Sequence, residues 1–223
     1  MHFKFFYQNS RLLLFGIIMS FTSSFGQTFF ISLFGPSIQF EYDLSHTSWG
    51  TIYLIGTLLS AIILTYSGSL IDYYRLNFYT YFSVIALVFS CFFISIVSGY
   101  FFLIFAVFLL RQTGQGLTSH ISVTTMARYF SEKRGTAIAI GSLGMAIGEA
   151  ILPFVVIILI SLIGWRLTYF SSSIFILFCL FPVIILLLNG YKERFIEKTA
   201  NIPENQISIN NNIPKVRSFT RAE

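Results

Sequence analysis

The stretch FLLRQTGQGLTSHISVTTMARYFSEKRGTAIAIGSLGMAIGEAILP, residues 108–153, decides how the chain reads. Two long apolar runs flank a short basic loop carrying Arg128, Lys133 and Arg134. Each run holds one charge deep inside it, Arg111 in the first and Glu149 in the second. A charge near the centre of a bilayer costs at least about 2.5–3.5 kcal/mol on insertion scales, so such residues mark function or a specific partner.

The whole composition agrees with a membrane environment. Of 223 residues, 55% are hydrophobic and 10% charged, where a soluble domain carries about 25% charged residues. The 27 Phe and 12 Tyr suit a lipid-facing surface and its interfaces. A net charge of +5 is compatible with a nucleic-acid partner, but the bases fall almost entirely on one side of the apolar segments, which argues against one. Cys91 and Cys179 each lie inside an apolar run and read as fillers; no metal-ligand spacing and no cofactor motif is present.

A helix needs about 20 apolar residues to cross a membrane. Six segments qualify, at 12–38, 48–67, 77–97, 101–125, 136–160 and 167–188. The expected fold is an all-α integral membrane bundle over 12–188, between a cytoplasmic N-terminus at 1–11 and a flexible cytoplasmic tail at 189–223. The first run is too long for a signal peptide and no small-residue cleavage site follows, so it reads as an uncleaved helix. With the N-terminus inside, the inner segments hold Lys4, Arg11, Arg75, Arg128, Lys133 and Arg134. The tail adds Lys192, Arg194, Lys198, Lys215, Arg217 and Arg221. The outer loops hold Arg166 alone, beside Glu41, Asp43 and His46, and this bias places both termini in the cytoplasm.

Polar residues inside the spans point to a wet path. Ser20, Ser23, Ser24 and Gln27 form one stripe on the first helix, which Gly35-Pro36 is expected to end. On the fourth, Arg111, Gln115, Thr118 and Ser122 fall within about 60° at 100° per residue, with His120 opposite and read as structural. On the fifth, Ser142, Ala146, Glu149 and Pro153 share a face, and Gly141, Gly144 and Gly148 line an adjacent one that invites close packing. An Arg111–Glu149 pair is geometrically possible, either as a buried structural ion pair or as a charge exchange driven by protonation or an anionic substrate. The third and sixth helices lack charge and read as peripheral and lipid-facing, with a kink expected at Pro182. Asp72, just after the second helix, is either a solvated carboxylate or docked against an Arg or a helix N-terminus.

These features together resemble the N-terminal half of a major facilitator superfamily transporter. The marks are six helices, Gly68-x-Leu70-x-Asp72 after the second, and Arg111 followed by Gly114 and Gly116 in the fourth. The passage RQTGQGLTSHISVTTMARYFSEKRG is similar to a bacterial branch near the monocarboxylate and oxalate/formate-type transporters. The resemblance implies two inverted three-helix repeats per half and a substrate site at the midplane between two halves. It implies that helices 1, 2, 4 and 5 line the cavity. Gly68 and Asp72 match the loop motif that latches the cytoplasmic gate; Arg75 stands where Gly is usual, and Tyr73, Leu76 and Asn77 stand where bases are expected. Arg111 matches the helix-four arginine linked to proton coupling. Gly144 and Gly148 match part of the antiporter glycine motif, in which Glu149 replaces a Pro.

The expected function is secondary transport of a small organic solute such as a carboxylate across the cell (inner or plasma) membrane, by symport or antiport. The candidate substrate and coupling residues are Arg111, Gln115, Glu149, Gln27 and Ser24, with Gly68, Asp72 and Arg75 as the gate motif. Ending at Glu223, the chain reads as a half that pairs with a second six-helix unit or with its own copy. The alternative is a truncated, non-transporting scaffold or regulatory subunit. An enzyme is disfavoured, because no Ser/His/Asp, Cys/His or paired-carboxylate arrangement occurs.

Overall fold

Apolar runs bounded by Gly, Ser and charged residues become helices, and the computed structural model consists of them. It describes residue 7 and residues 9–189, so Lys4 and the bases of the tail lie outside the described residues. Among the described residues there is no strand, and five helical runs are long and apolar enough to cross a membrane. These are Ser10–Glu41, His46–Asp72, Leu76–Ile96, Tyr100–Tyr129 and Arg134–Leu188.

The first run is two helices, α1 (Ser10–Ser23) and α2 (Thr28–Glu41), joined by a 3-10 turn at Ser24–Gly26. The break falls at Gln27, which is extended at φ −77°, ψ 157°, and not at Gly35-Pro36 as the sequence suggests. Pro36 sits inside α2. A proline removes one ladder donor, a loss that a membrane helix tolerates where neighbours re-satisfy the freed carbonyl. The break at Gln27 answers a tertiary demand described below.

The second run is α3 (His46–Ser69), started by Ser45, whose hydroxyl accepts from the Ser48 backbone N–H at 3.1 Å. The third is α4 (Leu76–Ile96). The fourth comprises α5 (Tyr100–Leu110), a π-helical stretch at Arg111–Thr118, and α6 (Ser119–Tyr129). The fifth begins with α7 (Arg134–Phe175), followed by a π stretch at Ile176–Leu180 and α8 (Phe181–Leu188). The bend expected at Pro182 coincides with this π stretch, which runs directly into α8 and accommodates the donor that Pro182 lacks.

The expected helices 136–160 and 167–188 meet inside α7 at Gly164, whose φ of 77° and ψ of 167° are not helical. Such a positive φ is open to glycine at little steric cost. Beside the bend, Arg166 binds three residues at the ends of two helices: its Nε and Nη2 donate to Glu41 Oε1 at 2.9 and 2.7 Å, its Nη1 to the Ser95 carbonyl at 3.0 Å, and its Nη2 also to the Tyr42 hydroxyl at 2.9 Å. Trp165 Nε1 donates to Glu41 Oε2 at 2.5 Å, and the Arg166 guanidinium lies 4.5 Å from the Trp165 ring centroid. At the other end of the bundle Arg128 and Asp72 form an ion pair, so the docked reading of Asp72 holds.

The core runs between α1, α4, the fourth run and α7. The third run is half buried and the second only 22% buried, which corrects the expectation that the third is the peripheral one. The reason is its small polar residues: Ser83, Ser90 and Ser95 let α4 sit closely against its neighbours, and Phe92 meets Phe170 of α7 with ring centroids 6.1 Å apart. Phe30, Phe34 and Tyr169 stack behind it, the last two at 3.9 Å.

The glycine stripe of α7 lies on α1. A Cβ added at Gly144 would fall 1.9 Å from the Ile17 carbonyl oxygen, and one at Gly148 2.2 Å from Ser24 Oγ. Gly141 faces Met126 and Ser122 of α6. Gly144→Val should therefore destabilise the bundle by about 1–3 kcal/mol, because backbone cannot move aside as a side chain does. Gly50→Ala in α3, with nothing within 4 Å, should be neutral or slightly stabilising in the same detergent unfolding titration. Equal midpoints for the two variants would contradict the packing. Arg166→Ala and Glu41→Ala should each lower the midpoint, and the pair should cost about 1 kcal/mol less than the sum of the two, since the ion pair is part-exposed; strict additivity would deny the clamp.

Candidate functional site

Four consecutive residues, Arg111, Gln112, Thr113 and Gly114, are all buried, and no single face of a helix holds four neighbours in sequence. They are satisfied in different directions. Gln112 Nε2 donates to Ser67 Oγ of α3 at 2.6 Å, and its Oε1 accepts from Ser60 at 3.1 Å. The Thr113 hydroxyl donates to the Leu109 carbonyl at 2.8 Å and lies 3.1 Å from Ser90 Oγ of α4. Gly114 meets Gly26 backbone to backbone: a Cβ added at Gly26 would lie 2.6 Å from Gly114 Cα and 2.2 Å from the Leu110 carbonyl oxygen. The π stretch is the hub on which the first, second and third runs converge.

The approach of Gly114 explains the broken first run. Bare backbone at membrane depth persists only where protein satisfies its carbonyls. The Ser24 backbone N–H takes the Phe21 and Thr22 carbonyls, Gln27 N–H takes Ser24 O at 3.1 Å, and Arg111 Nη1 reaches the Gly26 carbonyl at 3.4 Å. A cation at the carbonyl end of a helix is also favoured by its dipole. Across the break, Arg111 Nη1 donates to Thr28 Oγ1 at 3.1 Å, and Tyr53 of α3 donates from its hydroxyl to the same oxygen at 2.8 Å. The guanidinium carbon sits 5.5 Å from the centroid of the Tyr53 ring, a cation–π distance.

Arg111 is 8% exposed, and its partners among the described residues are neutral. The two ion pairs among the described residues are Arg128–Asp72 and Arg166–Glu41, so the Arg111–Glu149 pair is not formed. Glu149 is exposed on α7, together with Ser142 and Ala146. Gly148 faces α1, and the next residue on a helix is turned about 100° away from it.

The remaining sequence candidates divide. Gln115 is half-buried beside the hub, with Oε1 enclosed and without a hydrogen-bond partner. Thr118 bonds back to the Gly114 carbonyl at 2.5 Å, and Ser122 donates to the Gly16 carbonyl of α1 at 2.8 Å. The face computed at 100° per residue does not survive, because a π turn closes at i+5 and rotates each residue less. Gln27 is half-buried at the break, whereas Ser24 is fully buried against Gly148 with its hydroxyl unpartnered. Ser20 and Ser23 are buried as well, so the serine stripe of α1 is packed, not wet. His120 is exposed, 3.4 Å from the Thr124 hydroxyl, and Gly68 lies near its ring. Arg75 caps α4 at its N-terminal end.

Sequence reasoning missed Gln112, Thr113, Thr28 and Tyr53. The signal for the first two was the run Arg-Gln-Thr itself: three successive polar side chains in an apolar helix must be met on several sides. Thr28 and Tyr53 carried no comparable sign.

No curated protein matches the chain. Residues 14–218 match the family model of the Major Facilitator Superfamily. That match takes in nearly the whole sequence, including the hub, the broken first run and the Asp72–Arg128 pair, and with the apolar helices it makes the chain a multi-pass membrane transporter belonging to the Major Facilitator Superfamily.

Proposed function

We propose that the chain moves a small organic anion, a carboxylate, and that Arg111 is the group that receives its charge. One observation carries this reading: a buried guanidinium in the middle of an apolar run has neutral partners and no carboxylate beside it among the described residues. Burying a cation without a counter-charge is costly, so the site is complementary to an anion that supplies one. Gln115, whose Oε1 is unpartnered, and Gln27 at the break are the neighbouring amides that orient the rest of the solute. Glu149, exposed on α7, is the candidate proton carrier, acting apart from Arg111.

The same proposal gives the bundle six spans arranged as two inverted three-helix repeats. The 55 residues of Arg134–Leu188 would extend about 80 Å as one helix, far beyond a hydrocarbon core of about 30 Å, and the bend at Gly164 supplies a turn between two spans. Both termini are then cytoplasmic, in the cell membrane, on the distribution of bases. Asp72–Arg128 ties the inner ends of the second and fourth spans beside Gly68 and Arg75. The sparsely buried α3 and the Glu149 face of α7 form the surface that a second six-helix unit, or a second copy, would cover.

The test is ligand-dependent melting of the chain in phosphatidylcholine proteoliposomes. Acetate, oxalate, succinate and benzoate form the panel, with acetamide and benzamide as neutral counterparts. At least one carboxylate should raise the midpoint while its amide does not, and Arg111→Gln should abolish the rise. No carboxylate effect, or an effect that survives Arg111→Gln, would overturn the reading. In uptake with the covering unit present, Arg111→Lys should fail although the protein still inserts, because an ammonium offers no planar fork for a carboxylate.

A further inference from the structure

The hydroxyl of Thr28 is engaged as an acceptor twice over. It accepts from Arg111 Nη1 at 3.1 Å and from the Tyr53 hydroxyl at 2.8 Å, so both lone pairs of Oγ1 are engaged by donors. Its own proton must then point away from both, and Thr28 is an exposed residue. No acceptor within the described residues takes this proton. Arg111 also has donors to spare: of its five N–H groups, the two hydrogen bonds above leave from Nη1, and Tyr53 is close enough to engage one more. Thr28 and Arg111 therefore present spare donors side by side at the break of the first run. The Tyr53 hydroxyl fixes the direction of the threonine proton, and its ring lies within cation–π distance of the guanidinium, 5.5 Å from the carbon.

We infer that Thr28 is a second anion-binding residue, donating its hydroxyl proton to one oxygen of the carboxylate whose charge Arg111 receives, and that Tyr53 positions both. The inference rests on the reading of Arg111 given above and extends it from charge to geometry. Two donors from different elements discriminate a planar two-oxygen anion from a spherical one, since a halide has no second oxygen to place at Thr28. They also couple ligand to fold: Thr28 is the first residue of α2, while Arg111 holds the last carbonyl of the preceding turn at Gly26. A bound carboxylate bridges the two halves of the first run.

The experiment measures apparent affinity from the melting midpoint against concentration, in phosphatidylcholine proteoliposomes, for the carboxylate that binds wild-type protein and for chloride. Phosphatidylcholine presents the same zwitterionic headgroup to every variant; repeating the titration with anionic phosphatidylglycerol present tests for competition from lipid phosphate. Thr28→Val removes the donor and keeps the shape; it should weaken carboxylate about tenfold and leave chloride within about twofold, and because it also takes the shared acceptor from Arg111 and Tyr53 it should lower the ligand-free midpoint, which Thr28→Ser should restore. Thr28→Ser should restore affinity. Tyr53→Phe frees one lone pair of Thr28 and lets its hydroxyl rotate, giving a loss of about two- to fivefold with the ring still over Arg111. Carboxylate affinity unchanged in Thr28→Val, while Arg111→Gln abolishes binding, would overturn the role of Thr28 alone. Equal loss for carboxylate and chloride would reduce Thr28 to a structural residue and overturn it too. If wild-type protein binds no carboxylate, or Arg111→Gln binds as wild type does, the reading of Arg111 itself falls.

Discussion

A polar side chain carried into hydrocarbon must find its partner within the protein, and the run Arg111-Gln112-Thr113 carries three of them together. Most of the architecture follows from meeting that demand. Gln112 draws in α3 through Ser60 and Ser67, Thr113 meets α4 at Ser90, and Arg111 reaches the carbonyl end of the turn after α1. These interactions are directional and each specifies one neighbour, whereas the aliphatic and aromatic contacts around them fill space without choosing between registers. The π winding of Arg111–Thr118 belongs to the same demand, since it spreads adjacent side chains among several partners.

Close approach of backbones supplies the second constraint. Gly26 against Gly114, and Gly144 against Ile17, are contacts that a Cβ would forbid, and they bring α1 into the centre between the fourth run and α7. The first is also the reason that the run breaks. With the chain at Gly26 pressed on the hub, the helix loses its ladder there, and the freed carbonyl becomes an acceptor for Arg111. A break at this depth is thus a consequence of packing and the foundation of the candidate site at once. At the opposite end of the bundle, Arg166 clamps Glu41, Tyr42 and Ser95 beside the bend at Gly164, so the ends of three runs are tied while the middle stays polar.

Apolar runs of twenty residues or more were readable as helices, and their limits agree with the observed ones to within a few residues at most boundaries, because burial in lipid leaves the backbone no alternative. Arg111 stood out because a charge among Phe, Leu and Val has no cheap explanation. What the sequence did not yield were features set by neighbours distant in the chain. Gly35-Pro36 is the stronger local breaker, yet the break lies at Gln27, where Gly114 presses from another run. Glu149 suggested a partner for Arg111 by depth alone, and depth says nothing of azimuth; Gly148 fixes the azimuth by facing α1. Thr28 and Tyr53 read as ordinary residues of apolar helices, and they acquire meaning when the break brings them to one guanidinium.

The central claim is that the guanidinium of Arg111 lacks a counter-charge in the protein and obtains one from a carboxylate. Solid-state NMR on protein carrying 15N-labelled arginine, with a 13C-carboxylate ligand in phosphatidylcholine bilayers, measures it directly. The account predicts a dipolar coupling between the ligand carboxyl carbon and an arginine side-chain nitrogen, lost in Arg111→Lys. A bound ligand without that coupling, or a coupling that persists in Arg111→Lys, would contradict it.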